Sequence, residues 1–398
     1  MRISTADLFR SGILQMGRLD TRLADVQRQL SSGKRITRAS DDPSGAVQAL
    51  ELRGRGAAVE QYARNANAAA SRLQQEEGAL GDIESALQRV RELAVQAANA
   101  TQTDDSRASI ARELRQISDG LLDGANARDA NGEYLFAGLR SASAPFVRDA
   151  GGRVAYAGDA GQRRVALSPS RSVAVGDSGS ELMTVPRGNG VFAVVAAAGN
   201  AGTGTVTQAT VADPASVGAE SFTIVMTSAS GYEVRDAANA VVGTGVYAPG
   251  ASIDVGGRLI VIEGAPAAGD SFAVGPAGAA SIFDVVDELA AALETPATGP
   301  FERARLQQST GDALQNLDQA IGRVLDLRTA VGARLNTIDG QTAANDAQQV
   351  QLKDALSRVE DLDYAEAISR FQLQQTALEA ARQTYVELGR SSLFDFLR

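Results

Sequence analysis

The sequence predicts an α+β, multidomain protein: a long helical coiled-coil or bundle domain built from both chain ends, with a β-rich insertion in the middle. Two observations carry this. In both outer thirds apolar residues recur every three to four positions, the spacing of a helix face laid along a partner helix. Residues 141–280 instead hold 22 of the 40 glycines, 7 of the 10 prolines and only 19 charged side chains, with short Val, Ile, Phe and Tyr runs between turn signals, the punctuation of β structure.

Taken in order, Met16, Leu19, Leu23, Val26 and Leu30 make the first seam. Gly33 suits the left-handed position after a helix end, and Lys34, Arg35 and Arg38 lie where they complement that end's negative dipole. Asp42 reads as an N-cap with Pro43 at the first helical position, so the chain breaks at residues 31–42. A second seam runs through Tyr62, Ala66, Ala69, Leu73, Leu80, Ile83, Leu87 and Val90, interrupted by Glu76. A third has Ile110, Leu114, Ile117 and Leu121. In the β block, Ser252–Val255 and Arg258–Ile262 flank Gly256-Gly257, whose positive φ angles suit a tight primed hairpin. Beyond it come Leu314, Leu317, Ile321, Val324, Val331, Leu335 and Ile338, continued by Leu352, Leu356 and Val359, and a last seam of Tyr364, Ile368, Phe371, Leu378 and Tyr385.

These seams divide the chain into an N-terminal axial helix and turn (1–45), a helical bundle part (46–130), an inner β domain (131–186), an outer β domain (187–280), a second bundle part (281–361) and a C-terminal axial helix (362–398). Seams inside 46–123 and 310–360 are expected to be covered within the subunit. The two outermost helices have little company in a lone chain, so residues 1–45 and 362–398 are expected to be disordered in the monomer and to order against partners. The expected interface comprises Met16, Leu19, Leu23, Val26, Leu30, Ile368, Phe371, Leu378 and Tyr385, with the apolar ending Leu393, Phe394, Phe396 and Leu397. Residues 1–60 carry 10 basic against 7 acidic side chains and residues 339–398 carry 6 against 10, a weak mutual attraction of the ends that salt screens.

Composition removes most chemistry. The 398 residues contain no cysteine, histidine or tryptophan, which excludes thiol nucleophiles, Ser-His-Asp relays and Cys/His zinc sites. A net charge of -10 disfavours a broad phosphate-binding face, so nucleic acid is not an expected partner. There is no long apolar stretch for a membrane span and no apolar core of a secretory signal at the start. Gly199–Gly204, GNAGTG, lacks the Lys-Ser/Thr of a phosphate loop and reads as a flexible connection. The acidic pairs Asp41-Asp42, Asp104-Asp105 and Asp361/Asp363 lack EF-hand spacing and suit caps. No catalytic, cofactor-binding or metal residue is expected.

LSSGKRITRASDDPSG at Leu30–Gly45 resembles the conserved N-terminal turn of the flagellin superfamily, through Gly33, Arg35, Ile36, Asp41, Asp42 and Pro43. Within that superfamily NGEYLFAG at Asn131–Gly138 and SSLFDFL at Ser391–Leu397 resemble its hook–filament junction members, while PAAGDSF at Pro266–Phe272 is also similar to segments of hook-associated protein 1. The resemblance implies a structural, non-enzymatic part of the bacterial flagellum. Its terminal helices would form the inner tube and its β block would project outward. It implies export by the flagellar type III apparatus without a cleaved signal. The implied partners are hook-associated protein 1, flagellin, further copies of the chain in a ring, and an export chaperone holding residues 362–397. A flagellin filament subunit, or a ligand-binding or adhesin β module on a helical stalk, stays open as an alternative.

Overall fold

The computed structural model describes residues 5–394. The α-helices are α1 (Thr5–Ser32), α2 (Pro43–Ala97), α3 (Asp104–Ala125), α4 (Ile282–Glu294), α5 (Pro300–Glu360) and α6 (Tyr364–Phe394), and every strand lies between α3 and α4. A helical domain drawn from both ends with a β insertion is therefore the fold. No described helix is long and apolar enough to cross a membrane.

Two compact units divide the chain. One comprises residues 1–65 and 340–398, the other 66–339. The boundaries fall inside α2 and α5, not at the helix breaks near 45 and 361, because an uninterrupted helix can serve two cores.

In the unit of residues 66–339 the second, third and fourth seams close on one another as their spacing requires. Ala66, Leu73, Leu80, Ile83, Leu87 and Val90 of α2, Ile110, Leu114 and Leu121 of α3, and Leu317, Val324 and Val331 of α5 are buried in one core. The same core takes in α4, whose Ser281 and Asp284 form a reciprocal capping box,, and also Leu135, Phe136, Phe146, Leu167, Val175 and Val185. The inner β segment thus shares the helices' core. It consists of β1 (Phe146–Arg148) with β2 (Val154–Tyr156), β3 (Arg164–Ala166) with β4 (Ser172–Ala174), and a 3-10 turn at Gly179–Met183. Strands of three residues bury too little alone, so they lie on helices instead of standing free.

NGEYLFAG supplies the anchor of this segment. Gly132 turns at φ +81°, Tyr134 lies under the Arg128 guanidinium at 4.3 Å, and Phe136 and Ala137 are fully buried. Gly138 has φ +68°, and a Cβ there would stand 2.3 Å from the Asp159 carbonyl oxygen. That oxygen accepts from Tyr156 Oη (2.8 Å) and Ser178 Oγ (2.7 Å).

Glu76, the residue that breaks the α2 seam, is fully buried. Its Oε1 accepts from the Asp177 backbone N–H at 2.7 Å, and the Asp177 carboxylate is gripped by both Arg334 Nη atoms at 2.8 and 2.9 Å. Burial and the neighbouring Asp177 charge push the Glu76 carboxyl up to about 7, so it holds its proton through the acid range. A latch between α2, α5 and the inner β segment explains why a carboxylic acid interrupts the seam.

The outer β unit has its own core of Phe192, Ile224, Met226, Ile253, Ile260, Ile262 and Phe272. Two antiparallel sheets contribute to it. One has the order β10 (Val241–Val246), β9 (Gly231–Asp236), β8 (Phe222–Ser228), β13 (Ser271–Pro276), β6 (Phe192–Ala196); the other β11 (Ser252–Val255), β12 (Arg258–Glu263), β7 (Thr205–Val211). The expected hairpin is present, with Val255 opposite Arg258 and Gly256 and Gly257 at φ +58° and +78°. A ribbon of β5 (Val185–Pro186) with β14 (Ala279–Ala280) joins this unit to the rest. GNAGTG is not a flexible connection: buried Asp270 accepts from the N–H groups of Ala201 (2.7 Å), Gly202 (3.1 Å) and Ala267 (2.8 Å). The reason lies 66 residues or more downstream in sequence, in the PAAGDSF segment.

Candidate assembly interface

The unit of residues 1–65 and 340–398 is built around two chain breaks that meet. α1 stops because Gly33 takes φ +68° and its N–H bonds back to Gln29 O at 2.9 Å, a left-handed helix ending. A Cβ at Gly33 would stand 2.9 Å from Tyr364 Oη. The α5–α6 break lies alongside: Arg35 N donates to Glu360 O at 2.6 Å and Leu362 N to Gly33 O at 3.0 Å.

Charge reinforces the joint. Glu360 is buried, and Lys34 Nζ reaches its Oε2 at 3.2 Å while Arg53 reaches Oε1. Burial alone would raise the Glu360 carboxyl, but the hydrogen bonds and charges of Arg53 and Lys34 hold it below the ordinary value. Arg35 donates to Val359 O at 2.8 Å and pairs with Asp42 at 3.2 Å. The sequence reading placed Lys34 and Arg35 at the end of α1. They serve the end of α5 instead, because the left-handed turn at Gly33 aims them there. Glu360 and Arg53 carry no local signal because the partners at this joint lie more than 300 residues apart, and Tyr364 shows in the sequence only as a seam residue.

The remaining motif residues shape the turn. Asp41 Oδ2 accepts from Arg38 N (2.8 Å), Thr37 N (3.1 Å) and Thr37 Oγ1 (2.9 Å), and these bonds hold its carboxyl below the ordinary range. Asp42 caps α2 through Gly45 N at 2.9 Å, with Pro43 opening the helix,. Ile36 is buried beneath. Any Cβ on Gly45 would stand 2.5 Å from Asp42 Oδ2 and 2.6 Å from Ile36 Cδ1, so a larger residue there would displace the capping carboxylate and the Ile36 side chain.

From this joint α1 and α6 run antiparallel and pack together, with Gly12 against the Tyr385 ring and Asp20 paired with Arg382 at 3.4 Å. The pairing uses the seam faces. Val26 is 5 % exposed and Leu378 4 %, while Met16, Leu19, Leu23, Leu30, Phe371 and Tyr385 are half-buried and Ile368 is exposed. Val26 and Leu378, both expected at the interface, are thus already buried in the lone chain, where α1 and α6 pack together from the joint at Gly33 and Glu360. The side chains of Leu393 and Phe394, and Phe396 and Leu397 altogether, lie outside the described residues.

What the pairing leaves open is a second set of large aliphatic side chains. Leu14 (59 %) and Ile13 on α1, Leu373 (72 %) and Val386 on α6, Val47 and Leu50 (68 %) on α2, and Val350 on α5 all face outward. These are off-seam positions that a strict heptad reading passes over. Exposed aliphatics spread along both terminal helices can bury area against further helices and do no covalent chemistry.

Family models described as the bacterial flagellin N-terminal and C-terminal helical regions match residues 14–141 and 314–397, leaving 142–313 outside. A crystal structure of Xanthomonas campestris FlgL is 36% identical, covering 76% of this chain and 98% of that one, with a TM-score of 0.72. The flagellar junction protein FlgL from Legionella pneumophila is 30% identical, covering 80% of this chain and 100% of that one, with a TM-score of 0.71. The flagellar hook-associated protein 3 of Salmonella typhimurium is 25% identical over 399 residues, which is 100% of both chains.

Proposed function

The chain belongs to the flagellar hook-associated protein 3 (FlgL) family, and from that premise we propose that it joins hook to filament in the bacterial flagellum by packing its terminal helices against neighbouring subunits. The observation that carries this reading is the outward set Leu14, Leu50, Leu373 and Val386 on a unit made from both chain ends. The match to hook-associated relatives runs through the β block, whereas the flagellin matches stop at the helical ends; this favours a junction piece over a filament subunit.

In this reading hook-associated protein 1 lies on the hook side and flagellin on the filament side, with copies of the chain in a ring between them. The role is structural, not enzymatic. The chain leaves through the flagellar type III apparatus to act outside the cell, with a chaperone on residues 362–397 beforehand. On assembly the exposed aliphatics of α1 and α6 become buried against neighbouring helices. Many modest contacts per ring hold by avidity.

Electron microscopy of the concentrated, purified chain tests the assignment. Short oligomers at most are expected; long filaments formed from this chain alone would make it a flagellin.

A further inference from the structure

We propose that the outer β unit is a hinged arm, seated on α5 by Gln308 and Asn316 and released when Asp312 between them ionises. This goes beyond the junction role, which rests on the terminal helices.

The arm is attached by little. Its entry and exit are β5 and β14, two residues each, paired Val185 with Ala280 and Pro186 with Ala279. Gly188 and Gly190 follow β5 with φ +63° and +86°. The arm carries a separate apolar core, so it need not unfold to move.

The seat on α5 is polar. Gln308, Asp312 and Asn316 stand four residues apart on one helix face. Gln308 Oε1 accepts from Val206 N at 2.5 Å on the edge strand β7, and Asn316 Oδ1 accepts from Gly188 N at 2.8 Å. Asp312 sits between them without a bond to the arm. Its one hydrogen-bond donor among the described residues is Gln308 Nε2, at 2.7 Å on the same helix. Cavities of about 250 and about 60 Å³ lie between α5 and the arm, and Asp312 lines both. An interface with such gaps gives up dispersion contacts that a close-packed core would keep.

The charges facing Asp312 do not neutralise it. Arg187 favours its ionised form and Glu288 of α4 opposes it, and Arg187 is itself committed to Glu288 at 2.8 and 2.6 Å. Arg305 of α5 lines the larger cavity, while β6 and β7 contribute only Phe, Val and Ala residues and no charged side chain. Burial pushes the seated carboxyl up to about 6 from an ordinary 3.8. The acid is therefore favoured seated and the carboxylate favoured free. Seating is strongest below pH 3.8, weakens as pH rises from there to about 6, and is constant above,.

Amide hydrogen exchange on the full-length chain, at about pH 4.5 and about pH 7.5 and corrected for intrinsic rates, reads this directly. Protection of the Val206 and Gly188 amides is expected to fall between about tenfold and about a hundredfold on going to the higher pH. Amides of β8 and β13 keep theirs. Because the chain has no cysteine, spin labels on Val246→Cys and Leu325→Cys give an independent distance, expected to broaden over the same range. Asp312→Asn keeps the neutral geometry and is expected to hold the low-pH protection and distance at both pH values. Unchanged protection in the parent chain, the same transition in Asp312→Asn, or joint loss of protection in β8 and β13 would each overturn the proposal.

Discussion

Leu14→Asp combined with Leu373→Asp is expected to leave cells with hooks that hold no filaments, while the purified chain keeps its helix content and its melting transition. Both side chains are mostly exposed, 59 % and 72 %, so the folded monomer loses no core by the exchange; exposed substitutions of this kind change stability by about 0.5 kcal/mol or less. In an assembly that buries these faces, each aspartate is an unpaired charge out of water, which costs several kcal/mol. The cost repeats at every subunit around the junction, so swimming should be lost and not merely slowed. Leu378→Asp acts differently: Leu378 is covered by the chain's own helices, so that variant should loosen the α1–α6 pair in the isolated monomer, seen as lost helix content. Attached filaments of normal length in the double variant would remove the outward faces of α1 and α6 from the account.

Gly138→Ala is the second large effect, and it lies in the β segment. The residue has φ +68°, where an L side chain costs about 1 to 2 kcal/mol,. The new Cβ also falls 2.3 Å from the Asp159 carbonyl oxygen, so the backbone must shift. Tyr156 Oη and Ser178 Oγ both donate to that oxygen, and Leu139 N donates to Asp159 Oδ1 at 3.1 Å. Displacing this group is expected to bring the total to about 3 to 5 kcal/mol. Gly132→Ala is the control: φ is +81° but nothing stands within 4 Å of its Cβ, so only the backbone penalty of about 1 to 2 kcal/mol remains. Urea unfolding of the two full-length variants compares them. Equal losses would mean that the close approach to Asp159 has no consequence.

Most of the helical plan was legible because burial repeats with the helix. Leu73, Leu80, Leu87 and Val90 fall on one seam and are buried together, and Asp42-Pro43 marked the start of α2. The Gly256-Gly257 hairpin was legible because two positive φ angles leave little choice of residue. What stayed hidden is non-local. Glu76 showed only as a fault in the α2 seam, since its partner Asp177, and Arg334 which grips Asp177, lie about a hundred residues and more away. Nothing in the local sequence marks Glu360, yet it is the buried point where Lys34 and Arg53 converge. Asp270 fixes a glycine loop that composition alone suggested was loose. On the terminal helices periodicity finds the most regular apolar face, whose Val26 and Leu378 are buried within the chain. The less regular residues, Leu14 and Leu373 among them, are the ones left outward.

The most direct test of terminal-helix joining is a photoreactive side chain placed singly at Leu14, at Leu373 or at Val246 on the outer β unit, followed by irradiation of intact flagella. Each position is exposed in the isolated chain, so all three start equal. Covalent adducts to neighbouring axial subunits from positions 14 and 373, with none from 246, is the result predicted; adducts from 246 alone, with 14 and 373 silent, would contradict it.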